Sequence, residues 1–213
     1  LQVTSPLPGD GKTTLSTNLA VAMAQSGKHV LLIEADLRRP RAAKLLGIVD
    51  EVGVVAALNG EREIDDCIHA TEVPNLSLMP VGERPHNPSE LLCSPRFRQL
   101  LGVVREKYDI VLVDSAPLLP VTDASIIASA CDGVILLLRV KPDMRSAAFA
   151  ALSKLRSVGA NVVGAVVRGQ FERSNSSYQY GYKYGYRYDN YEHAEDYDIE
   201  QDEDLLTTRP KGR

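Results

Sequence analysis

The stretch Ser5-Pro6-Leu7-Pro8-Gly9-Asp10-Gly11-Lys12-Thr13-Thr14 decides the fold. It stands between a short apolar run, Leu1–Thr4, and a segment, Lys12–Ser26, with Leu15, Leu19, Ala22 and Met23 on one helical face. Strand, glycine-bearing loop and helix in that order form a cradle for phosphate. Gly9 and Gly11 let the backbone N–H groups wrap an anion, and the first helical turn adds its positive dipole end. In such a loop Lys12 bridges the β- and γ-phosphates and Thr13 offers its hydroxyl to Mg²⁺. The usual pattern, G-x-x-x-x-G-K-[ST], has a small residue where this chain has Pro6. The plain alternative is a glycine-rich turn between a strand and a helix.

Outward from the loop, apolar runs with strand character recur at Val30–Ile33, Leu76–Pro80, Ile110–Val113, Val134–Leu138 and Val162–Val167. Helical patterns at Glu90–Glu106 and Arg145–Val158 lie between them. Continuous apolar strands imply burial on both faces, and strands separated by helices imply βαβ units. The expectation is an α/β fold, a mostly parallel sheet flanked by helices on both faces. Two of the strands end in carboxylates: Leu31-Leu32-Ile33-Glu34-Ala35-Asp36 and Val111-Leu112-Val113-Asp114. Open parallel sheets bind ligands at the carboxyl edge of their strands. One basic loop and two acidic ones at that edge form the constellation a Mg²⁺–nucleotide needs. Taken singly, an acid at a strand end is more often a helix cap or a solvated turn; joined to the phosphate loop, the two acids read as ligands.

Composition excludes other classes. The 213 residues are 44% hydrophobic and 24% charged, ordinary for a globular chain. Three cysteines, Cys67, Cys93 and Cys131, are too few for a disulfide scaffold and lack metal-ligand spacing. They read as buried thiols in a reducing compartment. His29, His69, His86 and His193 are scattered and suggest no metal site. No apolar run is long enough to span a membrane. The net charge of −4 resides wholly after residue 171, where 10 acids face 6 bases. A neutral body with an acidic tail gives no support to a nucleic-acid surface. The first residue is Leu1, which suggests a fragment of a longer chain.

The globular pattern stops near Gln170, so residues 1–170 read as one domain and 171–213 as a flexible tail. There Tyr178, Tyr180, Tyr182, Tyr184, Tyr186 and Tyr188 recur at every second residue, followed by Tyr191 and Tyr197. Nine acids and no Lys or Arg occupy residues 189–204. A strand with one aromatic face fits period two, but Gly181 and Gly185 weaken a strand. Little aliphatic material is present to bury, which favours disorder.

The loop SPLPGDGKTT, the motif LLIEADLRRP, the stretch NPSELLCSPRF and the motif IVLVDSAPLLPVTDA together resemble the bacterial tyrosine kinases of capsule and exopolysaccharide synthesis. The resemblance runs through residues 1–169, and the tyrosine-rich tail extends it. It implies a P-loop NTPase fold and an ATP-dependent protein-tyrosine autokinase that uses Mg²⁺. By that resemblance, Pro8, Gly9, Asp10, Gly11, Lys12, Thr13 and Thr14 bind the nucleotide, and Thr13, Asp36 and Asp114 hold the metal. Lys12, Glu34, Asp36 and Asp114 are the implied catalytic set. Glu34 takes the position of an acid that helps deprotonate the incoming tyrosine, where the family usually has Asp. Arg38 stands where a base would steady the phosphates or form a salt bridge. Arg168 ends the last core strand where relatives often have a base-reading Asn. The eight tail tyrosines are the implied phosphoacceptors, phosphorylated between subunits.

The resemblance further implies a homo-oligomer, ring-shaped, with protein tyrosine substrates and a phosphatase as partners. It implies a membrane-anchored chain-length or activator domain, fused or separate, and a cytoplasmic location at the inner face of the membrane. The rival is a positioning ATPase of the plasmid-partition and cell-division kind, with water as its only acceptor. Such proteins usually carry an extra Lys early in the loop and no tyrosine cluster, and this chain has the reverse. A third reading is a scaffold whose site is inactivated by Glu34 and Pro6.

Overall fold

Alternation of buried strands with helices of one to four turns calls for right-handed crossovers, and these build a parallel sheet. The computed structural model describes residues 1–49, 52–142 and 144–169; the expected phosphoacceptor tail lies outside them. Among the described residues the strands are β1 (Gln2–Thr4), β2 (Val30–Ala35), β3 (His69–Ala70), β4 (Leu76–Met79), β5 (Ile110–Ser115), β6 (Val134–Arg139) and β7 (Val162–Arg168). The helices are α1 (Lys12–Gln25), α2 (Ala42–Leu45), α3 (Val54–Asn59), α4 (Pro88–Cys93), α5 (Pro95–Arg105), α6 (Asp123–Ala128) and α7 (Met144–Ser157). The sheet order is β3-β4-β2-β5-β1-β6-β7, parallel throughout except for β3, which runs against β4 at the edge.

Helices cover both faces. All six residues of β2 are buried. Leu31 and Ile33 pack with Val54 and Leu58 of α3, Leu92 of α4, Phe97 and Leu100 of α5 and Ile127 of α6. Val30 and Leu32 pack on the other face with Ala20 and Ala24 of α1 and Ala42 of α2. Phe97 is fully buried, and its removal to alanine would cost about 3–5 kcal/mol. A third cluster joins Leu136 of β6 to Leu155 of α7 and Leu118 of the loop after β5.

Three expectations are corrected. The helix expected over Glu90–Glu106 is two, because Pro95 has no N–H to continue α4. Ser94 is extended (φ −64°, ψ 151°) and Pro95 opens α5 at its first turn. β7 is an edge strand with Val163 and Val167 exposed, so its apolar run does not mean burial on both faces. Of the thiols, Cys67 is buried, Cys131 half-buried and Cys93 exposed. The described residues contain no helix long and apolar enough to cross a membrane.

Candidate nucleotide site

The loop from residue 5 to residue 11 is fixed at its entry by the backbone. Ser5 and Pro6 accept the N–H groups of Leu118 (2.8 Å) and Leu119 (3.1 Å), and Pro6 is buried. The missing glycine at this position therefore leaves the turn intact. Further on, the Asp10 carboxylate accepts the Leu7 N–H (3.1 Å) and pairs with Lys141 (3.2 Å). Arg139 donates to the Gly9 carbonyl at 3.3 Å. Leu7, Pro8 and Gly9 remain exposed at the crest. Gly11 has φ +99°, a left-handed conformation that lets α1 begin at Lys12. A Cβ on Gly11 would lie 2.5 Å from Nη1 of Arg168, so the guanidinium at the end of β7 sits over the loop. Thr14 is exposed on the first turn.

Lys12 points to the sheet edge and pairs with Asp36 at 3.1 Å, both side chains being nearly sealed from solvent. Asp114 ends β5 opposite the same turn. Both of its oxygens are buried without a hydrogen bond. The hydroxyls of Thr13 and Ser16 face it, but Ser16 donates to the carbonyls of Lys12 (2.9 Å) and Thr13 (3.1 Å). Burial therefore pushes the Asp114 carboxyl up to about 7, with Thr13, Lys12 and Ser16 only partly offsetting it. Such an orphaned carboxylate beside a threonine hydroxyl fits a divalent cation, which would supply the missing partner. Lys12, Thr13, Asp36 and Asp114 thus meet at one edge, as the sequence motifs imply.

Glu34 does not join them in that manner. Its carboxylate is fully buried and accepts the backbone N–H of Ala42, at the start of α2, and of Val81 (3.3 Å). Burial raises its pKa, and the N–H groups of Ala42, Val81, Arg41 and Ala43 partly offset the rise. With its oxygens engaged by backbone and no surface open to a substrate, Glu34 is not placed to take a tyrosine proton. That expectation is corrected. The extra methylene relative to Asp carries the carboxylate to the backbone of the following loop. Arg38 forms a salt bridge: Nε and Nη2 donate to the two oxygens of buried Asp123 (2.7 and 3.2 Å). Ser89 adds a third donor at 2.5 Å. Burial opposes the Asp123 charge, but Arg38 and Ser89 outweigh it and hold the carboxyl below its usual range.

Sequence reasoning passed over Ser16, Asp123, Ser89, Arg139 and Lys141. Ser16 follows Lys12 by one turn of α1 and was legible from that spacing, whereas Arg139 and Lys141 reach the loop, and Ser89 and Asp123 reach Arg38, only through the sheet's crossovers. Among the described residues no group of three His, Cys, Asp or Glu side chains forms a metal cluster.

A phosphate loop at the head of α1, with acids from the adjoining strand ends, defines a nucleotide-binding α/β fold. Comparison with known proteins agrees and narrows the class. The AAA domain family model matches residues 7–155. The tyrosine-protein kinase ptk of Acinetobacter johnsonii is 38% identical over 84% of this chain and 24% of its own length. The kinase domain of the Escherichia coli tyrosine kinase ETK is 34% identical with a TM-score of 0.78, over 85% of this chain and 71% of that domain. The septum site-determining protein MinD of Pyrococcus horikoshii, complexed with Mg-ADP, is similar in fold alone: 23% identical, TM-score 0.70, over 82% of this chain and 71% of that one. The chain belongs to the bacterial tyrosine-kinase domains of the AAA family. It spans about a quarter of the length of the curated relatives it matches.

Proposed function

We propose that this chain is the catalytic domain of an ATP-dependent protein-tyrosine autokinase acting in exopolysaccharide or capsule synthesis. The observation that carries the reading is the convergence of Lys12, Thr13, Asp36 and the unpaired Asp114 at the mouth of the phosphate loop. Loop N–H groups and Lys12 would hold the β- and γ-phosphates, and Thr13, Asp36 and Asp114 would hold Mg²⁺. When bound, Mg²⁺ neutralises charge on the phosphate oxygens. The chain's own contribution is orientation and fixed positive charge: Lys12 is already held by Asp36, and the dipole of α1 points at the loop.

The transferred group would go to a hydroxyl among Tyr178, Tyr180, Tyr182, Tyr184, Tyr186, Tyr188, Tyr191 and Tyr197 of a neighbouring subunit. Phosphoryl transfer through a loose transition state depends mostly on positioning and electrostatics. A buried base at Glu34 is therefore dispensable. Arg168, poised over Gly11, is the residue we assign to the base end of the nucleotide. A ring-shaped homo-oligomer, a membrane-anchored chain-length or activator domain and a phosphatase are the partners this reading carries. Its place would be the inner face of the membrane, reached through a fused or partner segment.

Incubating the full chain with Mg²⁺ and γ-labelled ATP tests the reading. Label on protein tyrosine supports it, whereas label released only as free phosphate supports the positioning-ATPase alternative.

A further inference from the structure

Asp36 sits in the middle of a short loop that is held two residues away on either side. On one side, Glu34 accepts N–H groups from Ala42, which packs with α1, and from Val81, which packs on the opposite face. On the other, the guanidinium of Arg38 clasps Asp123 in two hydrogen bonds, and Ser89 at the head of α4 closes the set. These outer partners belong to helices on the opposite face of the sheet. Between the two anchors, Asp36 accepts the Arg39 N–H at 3.1 Å with one oxygen and meets Lys12 at 3.1 Å with the other. A loop tied on both faces of a sheet has little freedom to move its central carboxylate.

We infer that Glu34 and Asp123 are positioning residues that fix Asp36 for the cation of the bound nucleotide, Asp123 acting through Arg38. The inference rests on the nucleotide reading above. Each anchor is a buried carboxylate that ties one end of the Asp36 loop, through Ala42 or Arg38, to an element distant in sequence, Val81 after β4 or Asp123 and Ser89 on α6 and α4. An amide in either position presents donor hydrogens to donors and loses the charge. The loop is then released while its fold-defining apolar neighbours stay in place. Groups that hold metal ligands commonly change metal affinity by about 10–100-fold when altered.

The test is calorimetric binding of ADP to the full chain with and without Mg²⁺, in wild type, Glu34→Gln and Asp123→Asn. Wild type binds ADP more tightly with Mg²⁺. Each variant is expected to lose about tenfold of that Mg²⁺ enhancement while its Mg²⁺-free affinity stays close to wild type. Glu34→Asp, which keeps the charge but shortens the reach, should retain more of the enhancement than Glu34→Gln. Arg38→Ala, at a side chain 41% exposed, stands in if Asp123→Asn fails to fold. A lowered melting temperature with the full Mg²⁺ enhancement would overturn the inference and leave both acids as structural. A wild type that binds ADP with no Mg²⁺ enhancement would overturn the nucleotide reading itself, and this inference with it.

Discussion

Glu34 and Asp114 are paired neighbours in adjacent strands, yet their carboxylates meet opposite surroundings. Glu34 is enclosed by backbone N–H groups, while both oxygens of Asp114 are buried without a hydrogen bond, the Thr13 and Ser16 hydroxyls only facing them. The first arrangement is complete within the protein. The second leaves two acceptor oxygens open for the cation proposed above, and on that reading the two acids, alike in sequence context, have different work.

Asp114 makes stability depend on pH in a direction unusual for a carboxylate. Its pKa, near 3.8 when unfolded, rises to about 7 in the fold. The native state therefore binds the extra proton between those values, and stability falls as pH rises from about 4 to 7. Nucleotide-free protein should melt higher at pH 6 than at pH 8. Asp114→Asn should flatten that slope and remove the Mg²⁺ enhancement of ADP binding. Parallel pH profiles for wild type and variant would show that Asp114 does not carry the effect.

Lys12→Met should reduce phosphoryl transfer by about 10²–10³-fold or more, the range for losing one fixed charge aimed at a reacting group. Lys12 faces Asp36 and not the apolar core, so circular dichroism should report an unchanged fold. Initial-rate labelling of the folded variant decides the point: wild-type rates would remove Lys12 from the site.

Gly11→Ala places a side chain at φ +99° and against Arg168. The left-handed backbone alone costs about 1–2 kcal/mol for an L-residue. Denaturant unfolding should register at least that loss, and nucleotide affinity should fall. Adding Arg168→Ala should recover the steric part and none of the backbone part. A neutral Gly11→Ala would mean that the loop relaxes freely.

Much of this was readable in the sequence because chemistry and spacing coincide there. The order strand, Gly9-x-Gly11-Lys12-Thr13, helix admits few structures, and the apolar runs ending at Asp36 and Asp114 mark the edge where ligands bind. What escaped was whatever depends on reach. A carboxylate one methylene longer at position 34 turns away to the backbone at 42 and 81, and no local pattern announces it. Arg38 finds Asp123, 85 residues away, only because α6 follows β5 back over the sheet. The break at Ser94–Pro95 was legible and was outweighed by the helical periodicity on either side of it.

Replacing the eight tail tyrosines with phenylalanine should remove most autophosphorylation while ADP still binds. A Lys12→Met chain mixed with an active one should become labelled if, as proposed, a neighbour's site places the phosphate. An unlabelled Lys12→Met chain would rule out transfer between subunits.

Peptide-resolved mass spectrometry of the full chain after incubation with Mg²⁺ and ATP decides whether the phosphoryl group passes to tyrosine or to water. Phosphate is expected on tyrosines between Tyr178 and Tyr197, dependent on Lys12. Phosphate released to solvent with every one of those tyrosines unmodified, or found on Tyr108 alone, would contradict it.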